Sequence, residues 1–411
     1  MAAPPQASSA LVNVSEQAEL RLVQLLADSC PSPAAVEMTF APECEGYIGN
    51  GDAAGLVRTV LGDAGAISGL LAIEPKDEAV GAFSLIAALL ERVEGAAEQS
   101  ALSVALADAV TNGAADDAAA GKRAAMLAAL YNLSSNGTEK ANLLARIVSL
   151  TAASDPGALS PGRPLGDVLD AANVRSMVEG WGVGRADQRR LYRAIADGLA
   201  AGARRQTFLL SLLATYASAS EVDTEAIATA TDAAVGAVRD PVGLFDEQRG
   251  MLLLPPVAAL GSSPATKSLF ELLQVFQEGK LEDFEAFAKG SESTLSSHGL
   301  SKDDCIRNMR LLSLCSLAAE HEEIPYSAIA ATLHVDDSEV EGWVIAAVSS
   351  GLLSAKMDQL QKVVMVERCV VRKFGTEQWK ALQARLDAWK GNVRSVLNGL
   401  DKSQALQKPA A

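Results

Sequence analysis

The segment with the most suggestive pattern is GSSPATKS, Gly261–Ser268, which resembles the phosphate-binding loop G-x-x-x-x-G-K-[ST]. Thr266 stands in place of the second glycine, and its side chain would crowd the phosphate that backbone amides must approach. The preceding residues, LPPVAAL, form a poor strand pattern, whereas such a loop normally follows a strand. We therefore interpret the segment as an ordinary loop and expect no nucleotide cofactor.

Patterns for metal sites and for catalytic nucleophiles are also missing. No two of the three histidines, His298, His321 and His334, are four residues apart, the spacing that a zinc site on one helix face requires. HEEIP, at 321–325, lacks the second histidine of H-E-x-x-H, and no G-x-S-x-G elbow occurs. We expect a protein that is not an enzyme, with no catalytic residue, no metal and no cofactor.

Cysteine usage and the first residues predict the compartment. The five cysteines are scattered and include no C-x-x-C pair, which favours a reducing environment. The first residues, MAAPPQASSA, have neither the basic region nor the apolar region of a secretory signal. We expect a soluble cytoplasmic protein.

Charge is distributed unevenly along the chain. The formal net charge is −16, which opposes nonspecific attraction to nucleic acid or to anionic lipid. Residues 301–411 hold 14 basic and 14 acidic side chains, so the acidic excess lies in residues 1–300. From Lys356 onward, 11 basic residues stand against 5 acidic ones. The last part of the chain is therefore locally basic.

Helical periodicity dominates the first three hundred residues. Apolar residues recur at three- and four-residue spacing in segment after segment, separated by Gly, Pro, Asp or Asn. Aromatic residues are only 4% of the chain, which indicates helices packed through small side chains. We predict an all-α fold with one small β-hairpin, in which a HEAT- or TPR-like helical solenoid comes first.

A winged helix is predicted next in the chain. Helices are expected at 305–319, 326–333 and 338–350, and the stretches LLSAK and KVVMVE then form an antiparallel hairpin. No Lys or Arg lies between Arg310 and Lys356, so the helix that would read a DNA groove is acidic instead. Trp343, Val344 and Val348 are predicted to be its core stripe. We expect the hairpin to offer an exposed edge to a partner sheet, through Val363, Val364, Met365 and Val366.

The last helix, predicted from about Thr376 to Leu400, carries a heptad stripe. Its apolar residues fall at two heptad positions, a 3.5-residue period that is typical of helix-to-helix docking. They are Trp379, Leu382, Leu386, Trp389, Val393, Val396 and Leu400. We predict that this stripe docks on helices of other chains; the alternative is that the helix folds back on its own domain.

These features together resemble one family. Helical repeats followed by a winged helix and a terminal helix are the PCI layout, found in subunits of the proteasome lid, the COP9 signalosome and eukaryotic translation initiation factor 3. The stretches KMDQ, VVMVER and RKFGTEQWKALQARLDAWKGN are similar to the M-type subunits of that initiation factor. The resemblance implies a non-catalytic subunit seated beside other PCI and MPN subunits, acting in recruitment of the small ribosomal subunit to mRNA.

The expected domain limits follow the order of these predicted elements along the chain. They are a flexible leader at 1–14, helical repeats at 15–204, a PCI domain at 205–372, an assembly helix at 373–400 and a flexible tail at 401–411. Within the PCI domain, residues 205–300 are the helical part and residues 301–372 the winged helix. Two alternatives remain open: a COP9 signalosome subunit of the subunit-seven type, and a winged-helix regulator that binds nucleic acid.

Overall fold

The computed structural model describes residues 16–29, 33–62, 64–112, 117–246, 248, 250–372 and 376–407. For 16–17, 33–39, 64–65, 117–118, 292, 377–378, 381 and 400–407 it describes the backbone alone. The predicted leader at 1–14 lies outside the described residues. The chain forms two compact units, Met1–Ala233 with Leu253–Pro256, and Ala234–Leu252 with Val257–Ala411. The limits predicted at 204, 300 and 372 stay predictions.

The first unit is a succession of α-helices. In chain order they are α1 (Glu16–Ser29), α2 (Pro33–Asn50), α3 (Ala53–Gly62), α4 (Ala64–Ala72), α5 (Lys76–Leu89), α6 (Ala96–Asn112), α7 (Asp117–Leu133), α8 (Gly137–Ser154), α9 (Pro164–Val168), α10 (Ala171–Trp181), α11 (Arg185–Gly198), α12 (Ala203–Leu213) and the first part of α13 (Thr224–Arg239), to Ala233. Neighbouring helices pack side by side, α7 on α8, α8 on α11 and α11 on α12. The helical repeats expected from the periodicity are confirmed.

Helix ends in this unit follow local sequence signals. The Asn136 side chain accepts a hydrogen bond from the Thr138 amide at 3.0 Å and caps the start of α8. Asp170 caps α10 in the same way, and α10 ends at Gly182 in the left-handed region, with φ of 61°. A short polar side chain before a helix satisfies a free amide, and glycine after it adopts a conformation that other residues avoid.

A half-buried arginine holds the Pro/Gly-rich segment between α8 and α10 in place within the first unit. The Arg204 guanidinium donates hydrogen bonds to the carbonyl oxygens of Leu159, Gly166 and Leu169, at 2.7, 2.8 and 3.3 Å. Hydrogen bonds from a charged donor stabilise a fold by about 1.5–3 kcal/mol each. The segment is therefore an ordered part of the unit, although its composition is that of a linker.

The second unit combines helices with a small sheet. Its elements are α14 (Pro255–Leu260), α15 (Lys267–Glu278), α16 (Leu281–Gly290), α17 (Glu292–Ser297), α18 (Lys302–Glu320), β1 (Glu323–Pro325), α19 (Tyr326–Leu333), α20 (Val340–Ser349), β2 (Leu353–Asp358), β3 (Val363–Cys369) and α21 (Thr376–Gln407). The order of helices and strands from α18 to β3 is that of a winged helix. The predicted fold class is confirmed, and α21 extends beyond its predicted end at Leu400.

The sheet has three antiparallel strands in the order β1-β3-β2. Ile324 and Met357 both pair with Val364, from the two sides of β3. Val364 is fully buried, and it packs in one core with Leu333 and Val344. The middle strand thus anchors the sheet to α19 and α20.

The prediction that Val363, Val364, Met365 and Val366 form an exposed edge is wrong. The stretch Glu323–Pro325 pairs with β3 on the side that the prediction left open, so β3 is the middle strand. A strand of three residues is too short to show a two-residue alternation in the sequence. Among the described residues, the unpaired sides of the sheet belong to β1 and β2.

In the described part of the chain, no single helix is long and apolar enough to cross a membrane. The bent pair Ala53–Gly62 and Ala66–Ala72 reaches the required length and composition only when the two are taken together. Leu56, Val57 and Leu70 of this pair are buried in the apolar core of the first unit.

Candidate functional site

The terminal helix α21 presents its apolar stripe to solvent. Trp389 is 67% exposed and Val396 is 63% exposed, whereas core residues of the same unit such as Val344 are fully buried. The other exposed large apolar side chains of this helix are Trp379, Leu382, Leu386, Val393 and Leu397. Leu400 belongs to the helix, but its side chain lies outside the described residues.

From Leu382 to Gly399, no part of the described chain covers this stripe. Every residue from Leu382 to Gly399 is exposed, on all sides of the helix. Contiguous exposed apolar patches of this kind mark interaction surfaces, because leaving them in water costs about 25 cal/mol per Å² that a partner would recover. The alternative, in which the helix folds back on its own domain, is not the arrangement of this structure.

Basic side chains flank the stripe. Arg385 and Lys390 lie at the heptad positions next to the apolar seam, and Lys380 and Arg394 lie one position further out. They give α21 a positive border. This arrangement suits helices with acidic residues beside their own apolar seams.

Arg372, which lies between the sheet and α21, is held in place by hydrogen bonds. Arg372 donates hydrogen bonds from Nη1 to the Gly279 carbonyl at 3.0 Å and to Ser316 Oγ at 3.1 Å. Its Nη2 donates to the Phe276 carbonyl at 2.6 Å. Burial lowers the pKa of Arg372 to about 10, so the side chain stays charged at neutral pH. Arg372, three residues after the end of β3, therefore links this part of the chain to α15 and α18.

Helix α20, at the position of a recognition helix, carries no cation. Its inner side chains Val340, Val344 and Ala347 are fully buried, and Arg310 stacks on Trp343 with its guanidinium carbon 5.3 Å from the ring centroid. Val348, predicted to belong to the core stripe, is 41% exposed, so that prediction is wrong.

Two family matches coincide with these elements. Residues 281–368, from α16 through most of β3, match the family described as PCI domain. Residues 372–400, which begin at the anchoring arginine and include most of α21, match the family described as eIF3 subunit M, C-terminal helix. The second unit thus contains a segment that is similar to PCI domains.

Several curated relatives of this chain carry the name eukaryotic translation initiation factor 3 subunit M. That of Dictyostelium discoideum is 33% identical over 241 residues, 57% of this chain and 59% of the relative. That of Phaeosphaeria nodorum is 31% identical over 293 residues, 69% of this chain and 64% of the relative. The Nematostella vectensis protein is 32% identical over 244 residues, 57% and 61% of the two chains. The resemblance predicted from the sequence is confirmed, and the chain spans less than two thirds of each of these three relatives.

The residues whose types suggested a phosphate or metal site have structural roles in this chain. The Thr266 hydroxyl donates to the Leu260 carbonyl at 2.8 Å, and Lys267 pairs with Glu271 at 3.9 Å along α15. His334 ends α19 with a left-handed φ of 53°, and its Nδ1 lies 3.3 Å from Glu285 Oε1. Within the described residues, no group of three His, Cys, Asp or Glu side chains is arranged to hold a metal ion.

The cysteines that the structure describes are free thiols. Burial raises the pKa of Cys44 and of Cys315 to about 12, and that of Cys305 to about 11. A thiol with a pKa in that range carries almost no thiolate at neutral pH, and the thiolate is the nucleophilic form. These cysteines are inert core residues rather than activated nucleophiles.

Proposed function

We propose that this chain is a non-catalytic structural subunit of a eukaryotic translation initiation factor 3 complex, and that α21 attaches it to helices of other subunits. The observation that carries the proposal is the uncovered heptad stripe of α21, in the segment that matches the C-terminal helix of subunit M. A stripe of two tryptophans and several aliphatic residues supplies the apolar anchors that dominate protein interfaces.

The partners follow from the same proposal. They are other PCI and MPN subunits of the complex, and the small ribosomal subunit is reached through the complex in the cytoplasm. The carboxylates at and just before the start of α20, together with the net charge of −16, argue against direct, tight binding to nucleic acid. The chain then acts by holding other subunits in place, without a reaction of its own.

The test is affinity purification of the tagged full-length chain from the cells that produce it, followed by mass spectrometry of the associated proteins. We expect initiation factor subunits and small-subunit ribosomal proteins at a constant ratio to the bait. A chain that lacks residues 376–411 should purify with far fewer of them at equal expression.

Two results of this purification would overturn the proposal. Recovery of a deneddylase with signalosome subunits would assign the chain to the alternative complex. Recovery of chromosomal DNA without a stable protein partner would favour the other alternative, a winged-helix regulator that binds nucleic acid. Equal recovery of initiation factor subunits with and without α21 would refute the role of the helix alone.

A further inference from the structure

The outward face of α20 is apolar. Gly342, Ile345 and Val348 lie three residues apart and point away from the core, and Ile345 is 56% exposed. The Ser349 hydroxyl on the same face donates to the carbonyl of Ile345 within the helix, at 2.7 Å. The face that reads bases in a DNA-binding winged helix therefore offers carbon surface instead of hydrogen-bonding groups.

The wing extends this face. Gln359 Nε2 donates to Glu341 Oε2 at 3.1 Å, and Glu341 lies one turn before Ile345 on α20. The next residue, Leu360, is 98% exposed. Asp358 Oδ1 accepts hydrogen bonds from the amides of Leu360 and Gln361, both at 3.0 Å, which fixes the turn that carries the leucine. Leu360 is thus presented by an ordered turn that is tied to α20.

Carboxylates surround the start of α20. Asp336, Asp337 and Glu339 are exposed, and Glu341 is half-buried. Lys362 lies 3.9 Å from Asp337, and no ion pair to Asp336 or Glu339 occurs among the described residues. A ligand for this face must therefore carry positive charge beside its apolar groups.

We propose that α20 and the wing tip dock a short amphipathic segment of another protein, with two or three aliphatic side chains flanked by lysine or arginine. Nucleic acid is disfavoured because its phosphates meet carboxylates here. The α21 helix of a second copy has the right charge but the wrong length, since its stripe from Trp379 to Leu400 extends about 32 Å whereas α20 is about 15 Å long. The surface is separate from α21, so this inference does not depend on the proposed function.

The test uses a photoreactive p-benzoylphenylalanine in place of Ile345, in the tagged full-length chain within the complex that it forms in cells. The same residue in place of Val104 of α6, which is 43% exposed, is the matched control. Irradiation should give a protein adduct at position 345 that is absent at position 104. The adduct peptide should contain aliphatic residues beside lysine or arginine.

A synthetic peptide with the sequence of that segment then reports affinity by fluorescence anisotropy with the purified full chain. We expect Ile345→Asp and Val348→Asp each to weaken binding at least tenfold, and Val104→Asp to leave it unchanged. Glu339→Lys should weaken binding and reduce its dependence on salt. Thermal melting of each variant separates lost docking from lost folding, because both aspartates would sit on an exposed face.

Four results of the crosslinking experiment would overturn the proposal. They are an adduct with RNA, an adduct with a second copy of this chain, an adduct with a segment that has no basic residue, and no adduct above that at position 104. Peptide binding that is indifferent to both aspartate variants would overturn it as well.

Discussion

The Nη2 atom of Arg372 lies 2.6 Å from the carbonyl oxygen of Phe276, which belongs to the last turn of α15. This hydrogen bond joins Arg372, three residues after β3, to a helix 96 positions earlier in the chain. The last turn of a helix leaves carbonyl groups without a partner, and a buried guanidinium satisfies them. The start of the terminal segment is fixed by this contact, although α21 itself is exposed.

Replacing Arg372 by leucine should destabilise the second unit by about 3 kcal/mol, because two carbonyls and the Ser316 hydroxyl lose a charged donor. Urea unfolding of the full chain, followed by circular dichroism, measures the loss. Arg368→Leu is the matched control, since Arg368 is exposed. Equal losses for the two variants would show that the hydrogen bonds of Arg372 are not the cause.

Deleting residues 376–411 should leave the thermal midpoint of the isolated chain nearly unchanged while it weakens incorporation into the complex. The stripe of α21 is uncovered from Leu382 to Gly399, so its removal takes away little tertiary packing. Differential scanning fluorimetry and co-purification are the two measurements. A truncated chain that melts many degrees lower, yet still enters the complex when folded, would place the stripe inside its own domain.

Trp379→Ala combined with Trp389→Ala should reduce incorporation nearly as much as the deletion. Large aromatic residues at the centre of an interface commonly contribute about 2 kcal/mol or more each. Lys380→Glu combined with Arg394→Glu is the comparison, and it should slow association more than it weakens the complex, because charges at the border mainly steer encounter. The idea fails if the charge reversals cost more than the loss of both tryptophans.

Val364→Pro should unfold the winged helix. Val364 is fully buried in the middle strand, where proline removes an amide from the ladder as well as apolar packing. Val364→Ala keeps the backbone amide and tests the loss of apolar packing alone. The additional loss of stability in Val364→Pro therefore measures the contribution of the backbone hydrogen bonds between the strands. Near-native circular dichroism and stability of the proline variant would contradict the strand order.

The purified chain should bind neither duplex DNA nor single-stranded RNA below micromolar concentration at physiological salt. The physical reason is the net charge of −16 together with the carboxylates at the start of α20. Electrophoretic mobility shift at two salt concentrations is the measurement, and retention on heparin gives a rapid check. Tight binding that weakens steeply with salt would contradict the prediction and indicate a cationic binding surface elsewhere on the chain.

The parts of the fold that the sequence predicts are those with a repeated local signal. The heptad spacing of α21 can be recognised in the sequence because seven apolar residues recur over three heptads, about six helical turns, whatever the helix contacts. The direction in which α20 faces is not readable, because apolar residues occupy nearly all of its sides. Periodicity cannot tell the buried Val344 from the exposed Ile345 beside it.

Long-range partners leave still less trace in the sequence. The role of Arg372 depends on backbone carbonyls, which every residue possesses, so no residue type marks its partners. Strand β1 was missed because its three residues include a proline and stand between two helices. Its pairing with β3 is decided by the tertiary fold and not by local preference.

Pro325 of strand β1 makes the two outer strands of the small sheet differ in their ability to pair with a further strand. Its ring nitrogen has no hydrogen to donate, and the strand is only three residues long, so β1 is a poor template for a further strand. Strand β2 has six residues without proline, and its outer side is unpaired among the described residues. Of the two outer strands that the structure describes, β2 is therefore the one at which a strand of another molecule is expected to join, and β1 closes the opposite side of the sheet.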